Sequence, residues 1–99
     1  MTRKDRQRRI RGKIKGTRKR PRLSVFRSLK QVYCQAIDDV KGHTLAHAQG
    51  VDPEVVGKSV ADALVKQKVK IGVFDRSGYQ YHGKVKVVAE SLRKGGIKF

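Results

Sequence analysis

Residues 73–83 read Val-Phe-Asp-Arg-Ser-Gly-Tyr-Gln-Tyr-His-Gly. A short apolar run, Ile71 to Phe74, ends at Asp75. A polar segment follows, and Gly83 opens a helical pattern. A plain turn needs Gly with Ser or Asp, but it does not need two tyrosines. Arg76, Tyr79, Tyr81 and His82 around glycines suit a surface that stacks on bases and bonds phosphates. This stretch therefore predicts a strand feeding a helix, with a polar recognition loop between them.

The rest of the fold reads outward from there. Downstream, Val85, Val88, Ala89 and Leu92 recur at i, i+3, i+4 and i+7, an amphipathic helix that Gly95-Gly96 stops. Ile97-Lys98-Phe99 then packs its apolar residues back on the sheet. Upstream, Asp52 is a good N-cap and Pro53 suits the first helical position. Val56, Val60, Ala63 and Leu64 follow at helical spacing, so residues 53–67 form a second amphipathic helix. Before a linker at Gly50 to Asp52 lie three β-prone runs: Leu23 to Ser28, Gln31 to Ile37 and His43 to Gln49. Leu29-Lys30 and Asp38 to Gly42 connect them, short enough for an antiparallel meander.

The order β-β-β-α-β-α predicts an α/β domain with a four-stranded mixed sheet and two helices on one face. The expected core is Val56, Val60, Leu64, Ile71, Val73, Val85, Val88, Leu92 and one face of the meander. Alternation sorts the meander into two faces without saying which is covered; the mixed polar-aromatic set Phe26, Ser28, Tyr33 and Gln35 suits an exposed face, open to a partner.

Charge narrows that partner to nucleic acid, an anionic membrane or an acidic protein. Among 99 residues, 25 Lys and Arg face 8 acids, a net charge of +17. Self-repulsion of that size opposes compaction, and a polyanion offsets it. Residues 1–22 carry 12 of the cations and one acid, Asp5. This segment reads as a basic arm, disordered when free, joined at Pro21 to a globular domain over 23–99. Its scarcity of apolar residues argues against membrane insertion. Cys34 is the sole cysteine, so an intrachain disulfide and a multi-cysteine metal site are excluded.

Catalytic readings are weaker. Asp38, Asp39 and Asp75 sit at predicted strand ends, where metal-dependent nucleases gather carboxylates. Asp38-Asp39 serves turn chemistry equally well, and Asp75 is placed to hold the following loop by hydrogen bonds. His43, His47 and His82 lack zinc-site companions and read as surface or sheet-edge residues. Cys34 in mid-strand reads as a small buried hydrophobe. No catalytic group, cofactor, metal or small-molecule substrate is expected.

RPRLSVFRS (20–28), QVYCQAIDD (31–39) and FDRSGYQYHGKV (74–85), with the basic arm and the closing GIKF (96–99), resemble the bacterial-type large-subunit ribosomal protein family uL18, or L18. Leu29, Gln31 and Cys34 stand where that family commonly has Asn, His and Ala. The resemblance implies binding to 5S rRNA and bridging of it to large-subunit rRNA in the central protuberance, beside neighbouring ribosomal proteins. It implies a place in the ribosome of a bacterial cytoplasm or an organelle. Arg27, Ser28, Lys30, Tyr33 and Gln35 correspond to the family's RNA-facing hairpin. Arg76, Ser77, Gly78, Tyr79, Tyr81, His82 and Gly83 correspond to its signature loop. The arm cations expected on RNA are Arg3, Lys4, Arg6, Arg8, Arg9, Arg11, Lys13, Lys15, Arg18, Lys19, Arg20 and Arg22. Tyr79 and Tyr81 each have two readings: stacking on an unpaired base, or packing inward against the final helix.

Overall fold

A computed structural model describes residues 15–77, 79 and 83–99. The elements run β1 (Arg22–Arg27), β2 (Val32–Asp38), β3 (His43–Gly50), α1 (Pro53–Lys66), β4 (Val73–Asp75) and α2 (Lys84–Lys94). The strands form one sheet in the order β3-β2-β1-β4. β1 pairs antiparallel with β2, and β2 with β3, while β4 joins β1 in parallel. The predicted mixed sheet and element order are those observed.

Local chemistry sets each boundary. At the first hairpin the Ser28 N–H donates to the Gln31 carbonyl at 2.8 Å. The Gln31 N–H returns a bond to Ser28 Oγ at 3.1 Å. Between β2 and β3, Asp38 Oδ1 accepts from the N–H groups of Val40 and Lys41 at 3.0 and 3.3 Å. Gly42 completes that turn at φ +67°, a conformation that L side chains rarely adopt. Asp52 caps α1 by accepting from the Glu54 N–H at 3.0 Å, with Pro53 at the first position.

Alternation along the strands fixes the layers. Leu23 and Val25 of β1, with Val32, Cys34 and Ala36 of β2, are fully buried against the helices. From the helices come Val56, Val60 and Leu64 of α1, and Val85, Val88 and Leu92 of α2. The two helices meet closely at Gly57, where a Cβ would stand 2.7 Å from the Ser91 Cβ. Ser91 Oγ donates to the Glu54 carbonyl at 2.6 Å across the same contact. The C-terminus returns as expected: Ile97 is buried, Phe99 stacks on Phe74 at 5.2 Å between centroids, and Ile71 bridges Lys98.

On β4 the structure corrects the sequence reading. Ile71 and Val73 were expected in the core, yet Ile71 is 48% exposed and Val73 half-buried. The reason is phase. Phe74 lies opposite Leu23 on the helix side, whereas Val73 lies opposite Arg22 on the other side. The folded part also begins earlier than residue 23: Gly16 and Pro21 are buried, and Arg22 opens β1. Residues 1–14 of the expected arm lie outside the described residues.

Burial pushes the Cys34 thiol up from its ordinary value of 9.0 to about 12. A folded pKa above the unfolded one gives stability that is complete below pH 9 and is lost as pH rises towards 12. Urea midpoints measured from pH 8 to 11 are therefore expected to fall more steeply for the native chain than for Cys34→Ala. Parallel curves would contradict this.

Candidate nucleic-acid interface

The face of the sheet away from the helices divides into a closed half and an open half. In-register partners share a face, which groups Arg22 with Ile37 and Val73, Ser24 with Gln35 and Asp75, and Phe26 with Tyr33.

The closed half is built on Arg22, which is 7% exposed. Its Nε and Nη2 donate to the two carboxylate oxygens of Asp39, at 2.9 and 3.0 Å. Its Nη1 donates to Asp75 Oδ2 at 2.9 Å, and Asp75 is fully buried. Hydrogen bonding to Asp39 is the main cause that raises the Arg22 pKa above its ordinary value, so the guanidinium stays charged. Each acid also holds backbone. Asp39 Oδ2 accepts from the Gly16 N–H at 2.7 Å, and the Asp39 N–H donates to the Gly16 carbonyl at 2.9 Å. Gly16 lies so close to the Ile37 carbonyl and the Arg22 backbone that a Cβ has no room there. Asp75 Oδ1 accepts from the Ser77 N–H at 2.8 Å, which holds Ser77 at φ +55°. One buried cation thus ties the root of the arm, the β2–β3 turn and the start of the 76–83 segment together.

The open half is a groove of about 280 Å³ lined by Ser24, Phe26, Tyr33 and Gln35. Phe26 and Tyr33 lie 5.8 Å apart, tilted by 49°. Tyr79 meets Phe26 edge-on at 6.2 Å, and its hydroxyl donates to the Arg27 carbonyl at 3.1 Å. The Arg27 guanidinium sits 5.3 Å from the Tyr79 ring centroid. Tyr79 is half-buried on the sheet rim beside Phe26 and packs against the edge of the core. Ser77 Oγ reaches Ser24 Oγ at 3.3 Å and joins the two halves.

The expected contact residues distribute as follows. Lys15, Arg18, Lys19, Arg20, Arg27, Ser28, Lys30, Gln35, Arg76 and Gly83 are exposed, whereas Tyr33 and Tyr79 are half-buried. Ser77 is buried. Arg22 departs from the reading that grouped it with the arm, because two carboxylates already take its guanidinium. The arm cations from Arg3 to Lys13, and Gly78, Tyr81 and His82, lie outside the described residues. His43 and His47 are exposed on β3.

Sequence reasoning missed Gly16 and Asp39 as the partners that fix the arm root. No local pattern pointed to them, because the pairing depends on how β1 is set against its neighbours in the sheet. Asp38 and Asp39 read as an equivalent turn pair, but they divide the work. Asp38 caps the turn and Asp39 pairs with Arg22.

A family model described as ribosomal L18 of archaea, bacteria, mitochondria and chloroplast matches residues 1–99. A large ribosomal subunit protein uL18 of Streptococcus suis is 51% identical over 108 residues, covering 98% of this chain and 89% of the relative. Its counterpart in Lactobacillus johnsonii is 48% identical, covering 95% and 89%. That of Thermoanaerobacter pseudethanolicus is 47% identical, covering 98% and 92%.

Proposed function

The chain belongs to the ribosomal L18 family, and from that premise we propose that it binds 5S rRNA and bridges it to large-subunit rRNA in the central protuberance. Members of this family are structural, non-enzymatic parts of the large ribosomal subunit, and so is this chain. The match over residues 1–99 carries the reading.

The charge distribution supports it. The basic arm supplies counterion release on phosphates, which gives affinity without sequence information. The folded domain supplies placement. Arg27 and Lys30 at the first hairpin, with Arg76 beside the buried Ser77, are cations on rigid supports. RNA is recognised largely through shape, phosphates and splayed bases, and a sheet face with aromatic and polar side chains is suited to that work. The same surface offers no role to Asp39 and Asp75 as metal-gathering catalytic acids, since both are engaged by Arg22.

A gel-shift comparison of 5S rRNA with tRNA and unrelated duplex RNA at physiological salt tests this. The expected result is 5S rRNA bound at least about tenfold more tightly, since specific nucleic-acid binding exceeds non-specific binding by orders of magnitude. Equal affinity for the three RNAs would remove 5S rRNA as the partner.

A further inference from the structure

The groove on the open half of the sheet has a chemistry that general phosphate binding leaves unused. We infer that it is a subsite for one unpaired nucleobase, stacked on one of the rings of Phe26 and Tyr33 with the other ring against its edge, and bonded by Gln35 and Ser24.

Four observations carry this. Phe26 is 46% exposed although it is a large apolar side chain in mid-sheet. Its ring and that of Tyr33 stand 5.8 Å apart and tilted by 49° on cross-strand partners, so they form two angled apolar walls on a rigid support. Gln35 and Ser24 are also cross-strand partners, one step along the same face. They set an amide and a hydroxyl beside those walls. Among the described residues, the Gln35 amide has no hydrogen-bond partner, so both its donor and its acceptor face the groove or solvent. The volume, about 280 Å³, suits one planar ring system and is too small for a stacked pair with its backbone.

Charge selects the class of ligand. The walls are flanked by Arg27, whose guanidinium lies over the Tyr79 ring next to Phe26. A base that enters the groove carries its phosphate to a positively charged rim. Gln35 can donate and accept at once, so it can satisfy the paired donor and acceptor on the edge of a base. A protein side chain in the same place would leave that charge unused. A base held in a duplex cannot reach the groove, so the subsite selects RNA with an extruded or loop nucleotide.

The inference rests on the RNA-binding reading above but not on which rRNA is bound. The full chain is bound separately to 5S rRNA and to large-subunit rRNA, irradiated for zero-length crosslinking, and mapped by peptide. The expected result is an unpaired base joined to Phe26 or Tyr33 on at least one of the two RNAs. Phe26→Leu is expected to weaken that RNA about tenfold, and Gln35→Ala about fivefold, both with an unchanged salt slope. Gln35 is exposed, so its variant leaves the fold intact should Phe26→Leu disturb it. Crosslinks found only outside residues 24–35 on both RNAs, or variants that bind as the native chain does, would overturn the subsite. The latter result is also what a neighbouring protein seated on the groove would give. Crosslinks at Phe26 on large-subunit rRNA alone would leave the subsite standing and put it on the large-subunit side of the bridge, whereas loss of 5S rRNA preference in the gel-shift would overturn 5S rRNA as the partner and leave the subsite untouched.

Discussion

Arg22→Met is expected to lower the unfolding free energy by about 3–5 kcal/mol, with a fall in Tm on the order of 20 °C for a domain of this size. Methionine keeps much of the buried stem but removes the charge. Asp75 is fully buried, and Arg22 pairs with it at 2.9 Å. The substitution leaves a carboxylate in the interior facing apolar sulfur, which is the costly way to break a buried pair. Asp39 contributes less to the loss because its side chain is 25% exposed and water can replace the guanidinium there. Arg22→Lys should fall between the two. An ammonium restores charge but cannot donate in a planar fork to acids on both sides. The measurement is urea or thermal denaturation of the full chain, with Arg20→Ala as control. Arg20 is exposed, and its loss should change stability by no more than about 0.5 kcal/mol. An Arg22→Met chain as stable as the control would contradict the buried pairing.

Deletion of residues 1–14 should make the plot of log affinity against log salt shallower by about 6. The segment carries seven cations, and each phosphate neutralised on duplex RNA or DNA contributes about 0.9 to the slope. The cut is placed at residue 14 for a structural reason. Removing residues through 20 would also take away Gly16, whose N–H and carbonyl both bond Asp39. That larger deletion mixes lost counterion release with a disturbed Arg22 pair, and its effect on affinity has two causes. Filter binding between 50 and 400 mM salt reads the slope directly. An unchanged slope would remove the arm from the phosphate contacts.

Much of this was legible in the residues, for identifiable reasons. The helices announced themselves through Asp52-Pro53 and through the spacing of Val85, Val88, Ala89 and Leu92. These are local signals, and they survive without knowledge of the tertiary fold. Phe26, Ser28, Tyr33 and Gln35 share a face because alternation on a strand is strict, and their mixed polar and aromatic make-up, not the alternation, marked that face as the open one. The short β4 was harder. Three residues carry too little alternation to fix phase, so Ile71 and Val73 were assigned to the core in place of Phe74. Arg22 was harder still. Embedded in a run of cations, it looks like one more phosphate contact. Only the register that sets β4 beside β1 brings Asp75 to it, from 53 residues away. Asp39 reaches it across the other neighbour of β1. Long-range pairing of this kind leaves no periodicity in the sequence. The family resemblance supplied the partner, which charge and aromatics alone narrowed only to a polyanion.

We propose a division of labour between arm and domain: the arm gives affinity and the sheet face with its adjoining loop gives selectivity. The ratio of affinities for 5S rRNA and tRNA, measured for the full chain and for the chain lacking residues 1–14, tests it most directly. Both are read at a salt concentration where each binds. Weaker binding to both RNAs is expected, with the ratio kept within about threefold, because phosphate contacts of the arm are common to the two RNAs. A ratio that collapses to one on removal of residues 1–14 would place selectivity in the arm and contradict it.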